Sequence, residues 1–141
     1  MVLSQTIPAL PVRDAGAAIA YYRDRLGFSV LHADDGFGVL RRDTAQIHLW
    51  QSGDDSWQQR PSINRPVRSG AESFLAGTAS CRIMVDRPES VDELHAELLA
   101  HEALHRVSTS GAADTDFGTR EVNAVDLDGN LITFFCWLDR A

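Results

Sequence analysis

The chain writes one structural unit twice. Ile7-Pro-Ala-Leu-Pro-Val-Arg-Asp14 leads into a helical run that closes at Arg25-Leu-Gly-Phe28, and the same order returns in Ser80-Cys-Arg-Ile-Met-Val-Asp86 with a second helical run to Ala100. In each copy a short apolar strand ends at Val-Arg-Asp or Val-Asp, a helix follows, and polar turns separate further short strands, which makes a βαβββ unit in tandem. With 141 residues the chain has about the length of one domain and can bury a core without staples, so the two copies are expected to share one α+β fold. The expected layout is a single domain over 1–141, with module one at about 5–51, a long loop at about 52–79 and module two at about 80–138.

Local signals place the elements. Residues 6–12 read as a strand, and Asp14 is placed to cap a helix in which Ile19, Tyr22 and Leu26 share a face before Gly27 ends it. Strands are expected near 28–33, 37–42 and 45–51, divided by the turn residues Asp34-Asp35-Gly36 and Arg42-Asp43. In the second copy a strand near 80–85 precedes a helix opened by Pro88, with Val91, Leu94, His95, Leu98 and Leu99 on one face. Strands near 105–109, 119–126 and 131–138 complete it.

Strand parity sorts the side chains by face. In Gln46-Ile-His-Leu-Trp50, Ile47 and Leu49 suit a helix-covered side, which leaves Gln46, His48 and Trp50 on the other. In the last strand Leu131, Thr133, Phe135 and Trp137 alternate with Ile132, Phe134 and Cys136. Both of these faces are apolar, so one requires a helix and the other a cavity floor or a partner subunit.

Thirteen basic against 20 acidic side chains give a formal charge of −7, which argues against nucleic acid or an anionic membrane as partner and suits a cationic ligand. No stretch approaches the length of a membrane span, and the N-terminus lacks the pattern of a secretion signal, so a soluble cytoplasmic protein is expected. The two cysteines, Cys81 and Cys136, sit in apolar strands without metal or redox spacing and read as small buried hydrophobes; the sequence leaves a disulfide between them open.

With Tyr22-Arg-Asp-Arg-Leu-Gly-Phe28, Phe37-Gly-Val-Leu-Arg-Arg-Asp43, Gly118-Thr-Arg-Glu121 and Asp126-Leu-Asp-Gly-Asn-Leu-Ile-Thr133, the chain resembles the bleomycin-resistance branch of the vicinal oxygen chelate (glyoxalase/bleomycin resistance/dioxygenase) superfamily over nearly its whole length. The resemblance implies two βαβββ modules forming a half-open curved sheet. It also implies a homodimer that exchanges strands near Pro8 and sequesters a bleomycin-type cationic glycopeptide in interface crevices without reaction. Two departures stand out: Phe117 occupies the place of a tryptophan before Gly118, and Leu127 that of a proline.

Enzymes of this superfamily bind a divalent metal through His, Gln or Glu on the first and last strands of each module. By the resemblance those four places are Ile7, His48, Ser80 and Thr133, and only His48 is a strong ligand. No metal and no other cofactor are therefore expected. His101-Glu-Ala-Leu-His105 matches H-E-x-x-H, whose chemistry needs both histidines one turn apart on one helix; here the resemblance ends the helix near Glu102, and the match reads as chance spacing.

The remaining candidate surface is aromatic and polar: Phe37, His48, Trp50, Trp57, Phe117 and Phe135, with Thr133 and the charged Arg82 and Glu121. Aromatic walls hold flat heteroaromatic groups and carboxylates attract cations. Ordinary core packing is the better reading for Phe135 and Trp137, and a strand-edge ion pair for Arg120. The first functional expectation is thus drug binding by a homodimer. The alternatives are a glyoxalase- or dioxygenase-like enzyme, with His48 and Glu121 as acid and base, or a family member that binds some other small molecule.

Overall fold

The computed structural model describes residues 1–52 and 76–139. Strand β1 (Ala9–Val12), helix α1 (Ala15–Arg25), β2 (Ser29–Ala33), β3 (Phe37–Arg42) and β4 (Ala45–Gln51) form the first unit. Strand β5 (Ser80–Met84), helix α2 (Pro88–Ala100), β6 (Ala113–Asp114), β7 (Thr119–Val125) and β8 (Leu131–Trp137) form the second. Each builds a four-stranded mixed sheet, in the orders β1-β4-β3-β2 and β5-β8-β7-β6, so the duplicated sequence yields a duplicated topology. The fold is α+β, as the repeat predicts.

Asp14 caps α1 through the Ala17 N–H at 2.8 Å, and Gly27 follows the helix at φ +75°, a left-handed conformation that favours glycine. Ile19, Tyr22 and Leu26 are buried as expected. Helix α2 starts at Pro88 and buries Val91 and Leu98. Leu99 departs from the expected face and is 53 % exposed; Leu98 already fills the inward position, and the next residue is turned about 100° away from it.

Two further expectations are corrected. The first strand begins at Ala9 rather than residue 6. The strand expected at 105–109 is a short 3-10 turn, Arg106–Ser108, because the His105 ring accepts from the Val107 N–H at 3.1 Å and turns the backbone away from a ladder. Of that stretch the sheet keeps only an isolated bridge between Leu104 and Ala124. The second unit's outer strand is instead the two-residue β6.

Buried residues of both units form one hydrophobic cluster, from Leu10, Ile19 and Tyr22 to Val91, Ile132 and Phe134. Polar groups join the units inside it. The Tyr22 hydroxyl donates to Asp126 Oδ2 at 2.9 Å, Asn130 Nδ2 donates to the Pro11 carbonyl at 3.0 Å, and the Asp126 carboxylate also accepts the backbone N–H groups of Asp128 and Asn130. Arg42 of β3 makes a two-pronged pair with Glu97 of α2 at 2.6 and 2.8 Å and donates to the carbonyl of Leu26. The helices and this network occupy one side of the sheets. The opposite faces carry the candidate residues.

Both thiols are free. Cys136 is buried, and burial pushes the partly buried Cys81 thiol up to about 11, so neither carries a reactive thiolate at neutral pH.

Candidate functional site

The ladders place the candidate residues on the faces turned away from the helices, and at equivalent positions of the two sheets. In the first sheet Ala9 pairs with His48, Val39 with His48, and Phe37 with Trp50. In the second, Arg82 pairs with Thr133, Asn123 with Thr133, and Glu121 with Phe135. His48 therefore corresponds to Thr133, Trp50 to Phe135, Phe37 to Glu121 and Ala9 to Arg82. The first half is an aromatic patch, and the second carries charge.

On the first sheet the Phe37 ring meets His48 edge-on at 5.3 Å and His32 at 6.4 Å. The Trp50 indole N–H reaches the Ala9 carbonyl at 3.4 Å. Ile47 and Leu49 are fully buried on the helix side and His48 and Trp50 are partly exposed, so the expected parity holds.

On the second sheet Phe135 and Trp137 meet edge-to-face at 6.1 Å. Phe135 is partly exposed and Trp137 is 57 % exposed, which corrects the expectation that both are ordinary core. Arg82 lies with its guanidinium carbon 4.4 Å from the Phe135 ring centre and donates to both oxygens of Glu121, at 3.2 and 2.5 Å. Thr119 donates to the same carboxylate at 2.6 Å. The Arg82 guanidinium, assisted by the Thr119 hydroxyl and opposed by partial burial, holds the Glu121 carboxyl below the usual carboxylate range. Thr133 is buried and its hydroxyl donates to Asn123 at 2.6 Å.

Other candidates stand apart. Phe117 is exposed in the turn before β7, and no ring contact ties it to the Phe135 cluster among the described residues. Trp57 lies outside the described residues. Pro8 precedes β1, where its carbonyl accepts the His48 N–H at 3.0 Å, and β1 pairs with β4 of its own chain. Arg120 faces the helix side and pairs with Asp92 of α2 and Asp114 of β6, in keeping with the ion-pair reading.

The four superfamily metal places do not form a donor set. Ile7 is aliphatic, Ser80 opens β5, the Thr133 hydroxyl is engaged by Asn123, and the His48 ring packs on Phe37. Among the described residues no three His, Cys, Asp or Glu side chains converge. These residues do not fit a divalent ion, and no chemistry is routed through one. The H-E-x-x-H match is also broken: α2 ends at Ala100, Glu102 has φ +56°, and His105 caps the next turn.

A cavity of about 580 Å³ lies elsewhere, between α2, the end of β5 and the β3–β4 turn. Its walls include Phe28, Phe134 and the Arg42–Glu97 pair. That pair satisfies itself through two hydrogen bonds.

Sequence reading missed Thr119 and Asn123. Both share the parity of Glu121 on β7, so the alternation that sorted β4 and β8 would have found them.

Comparison with known proteins fits this architecture. The model of the Glyoxalase/Bleomycin resistance protein/Dioxygenase superfamily matches residues 5–134, and the chain belongs to that family. A protein named bleomycin resistance protein from Geobacillus stearothermophilus is 45 % identical over 131 residues, covering 93 % of this chain and 95 % of the relative; one of the same name from Staphylococcus aureus matches equally. Among solved structures, the bleomycin-binding protein of the bleomycin-producing Streptomyces verticillus, complexed with copper(II)-bleomycin, superposes with a TM-score of 0.66 at 21 % identity, over 99 % of both chains. The bleomycin resistance determinant encoded on transposon Tn5 gives 0.64 at 22 %, over 95 % of this chain and 98 % of that one. At such identities the structures speak for the fold alone.

Proposed function

We propose that this protein binds and sequesters a bleomycin-type cationic glycopeptide antibiotic, without chemical change, and so confers resistance. The observation that carries the reading is the 45 % identity to bleomycin resistance proteins across nearly the full length of both chains. The site geometry supports it: Phe37, His48 and Trp50 offer flat apolar surface on one sheet, and Phe135 with Glu121 offers a ring and a fixed negative charge on the other. The acidic balance of the whole chain favours a cationic ligand by the same electrostatics.

The functional unit in this reading is a cytoplasmic homodimer, strand-exchanged near Pro8, with each crevice built from the helix-free faces and Phe117 at its margin. Among the described residues no helix is long and apolar enough to cross a membrane.

Calorimetric titration with metal-free bleomycin, and in parallel with its copper complex, tests the proposal. Binding at about one drug per subunit is expected in the micromolar range or tighter, with a favourable free energy of roughly 8 kcal/mol or more. Absence of heat at micromolar protein overturns it. Elemental analysis of the purified protein addresses the enzyme alternative in its metal-dependent form, for which stoichiometric metal is the signature.

A further inference from the structure

We infer that the second sheet holds a site for a planar organic cation, and that Arg82 occupies it as a built-in competitor that the ligand's own cation must displace. The inference rests on the reading of these faces as the drug-binding surface and adds the chemistry of one end of it.

Three features define the site. Its anion is fixed: the Glu121 side chain is only 13 % exposed, and it is anchored by the Thr119 hydroxyl, which is itself within 2.8 Å of the Thr115 hydroxyl. Its floor is the Phe135 ring, with Trp137 edge-on beside it. Its occupant is a guanidinium 4.4 Å above that floor, on a side chain 45 % exposed. A carboxylate beside an aromatic face is the arrangement that binds flat, delocalised cations, and a guanidinium is such a cation.

The asymmetry is informative. The Glu121 carboxylate is largely sheltered and anchored by Thr119, whereas Arg82 reaches it from β5 on a half-exposed side chain. The more exposed side of the pair is the cation. At the equivalent place in the first sheet Ala9 stands for Arg82 and Phe37 for Glu121, so the device exists on one half only and gives the crevice a direction. Arg82 keeps Glu121 paired while the site is empty, which avoids a sheltered, uncompensated charge, and it makes entry an exchange of one cation for another. Neutral flat molecules gain nothing from that exchange. Arg82 thus sets selectivity for charge.

The test uses the full chain and benzamidinium, a flat aromatic cation, with neutral benzamide as control. Arg82→Ala and Arg82→Gln, each alone and combined with Glu121→Gln, are titrated beside the unaltered protein, with circular dichroism to verify the fold. Vacating the site is expected to tighten benzamidinium by about tenfold or more, and adding Glu121→Gln to erase that gain, while benzamide binds all variants alike. The inference is overturned if folded Arg82 variants bind benzamidinium no better than the unaltered protein, or if the gain survives loss of the Glu121 charge. Bleomycin titrated in parallel reports on drug binding separately: a protein that ignores bleomycin but gains benzamidinium on losing Arg82 refutes the drug reading and retains the cation site.

Discussion

Two side chains set opposite pH dependences on stability. The Tyr22 hydroxyl is buried, and burial, with the neighbouring Asp126 carboxylate, raises its pKa well above the ordinary value. The folded protein therefore favours the neutral phenol, so this contribution is present below pH 10 and is lost as pH rises beyond it. Tyr22→Phe is expected to cost about 1–2 kcal/mol near neutrality, because Asp126 keeps its three other donors, and to flatten the alkaline limb of a pH–melting curve. Glu121 has the reverse sign. Its folded pKa is depressed, chiefly by Arg82, so its contribution is present above the ordinary carboxyl range near 4.5 and is lost as pH falls through the lower folded value. Melting temperature followed from pH 6 to pH 2 should fall less steeply in Glu121→Gln than in the unaltered protein; an identical acid limb would show that the pair contributes nothing to stability.

At the scale of elements, the packing of α1 on its sheet depends on an absent side chain. A Cβ built on Gly38 of β3 would lie 2.7 Å from both Cγ1 and Cδ1 of Ile19 on α1, so the helix rests directly on the strand backbone. Gly38→Ala is expected to destabilise by about 1–3 kcal/mol through overpacking. In combination with Ile19→Ala the two losses should fall short of their sum by about 1 kcal/mol or more, because the truncated side chain no longer meets the new methyl; additive losses in chemical denaturation would place the strain elsewhere. Elements of this kind were legible in the sequence where the signal is local. The Asp14 cap, the Gly27 stop, and the alternation in β4 and β8 all follow from neighbours along the chain. The correspondence of Ala9 with Arg82 and of Phe37 with Glu121 was not legible, because it depends on the register between paired strands, which neither partner's own sequence records. The stretch 105–109 departs for another reason: the His105 side chain takes the Val107 N–H, a hydrogen bond that a ladder would have used.

At the scale of the whole molecule, the two sheets are joined on their helix side by a continuous core, by the Tyr22–Asp126–Asn130 network and by the Arg42–Glu97 pair, while the opposite faces carry the candidate residues. Met84 and Trp137, which share the face of Arg82, Glu121 and Phe135 through their ladder partners, are among the most exposed large apolar side chains. Apolar surface left open beside a charged cluster marks an interaction face, and in a self-complementary arrangement a second copy would cover it through a two-fold axis. In the proposed dimer such an axis would place the aromatic half of one subunit opposite the charged half of the other. Sedimentation equilibrium is therefore expected to return twice the chain mass at micromolar concentration. Trp137→Asp should weaken the association by about a hundredfold, in line with the loss of a central aromatic contact, and should leave the melting of the subunit within about 1 kcal/mol of its original stability, because the ring is not part of the core. Drug stoichiometry should fall with dimer content rather than with fold content. A monomer at every concentration tested, with drug binding intact, would confine the site to one chain and remove the second copy from it.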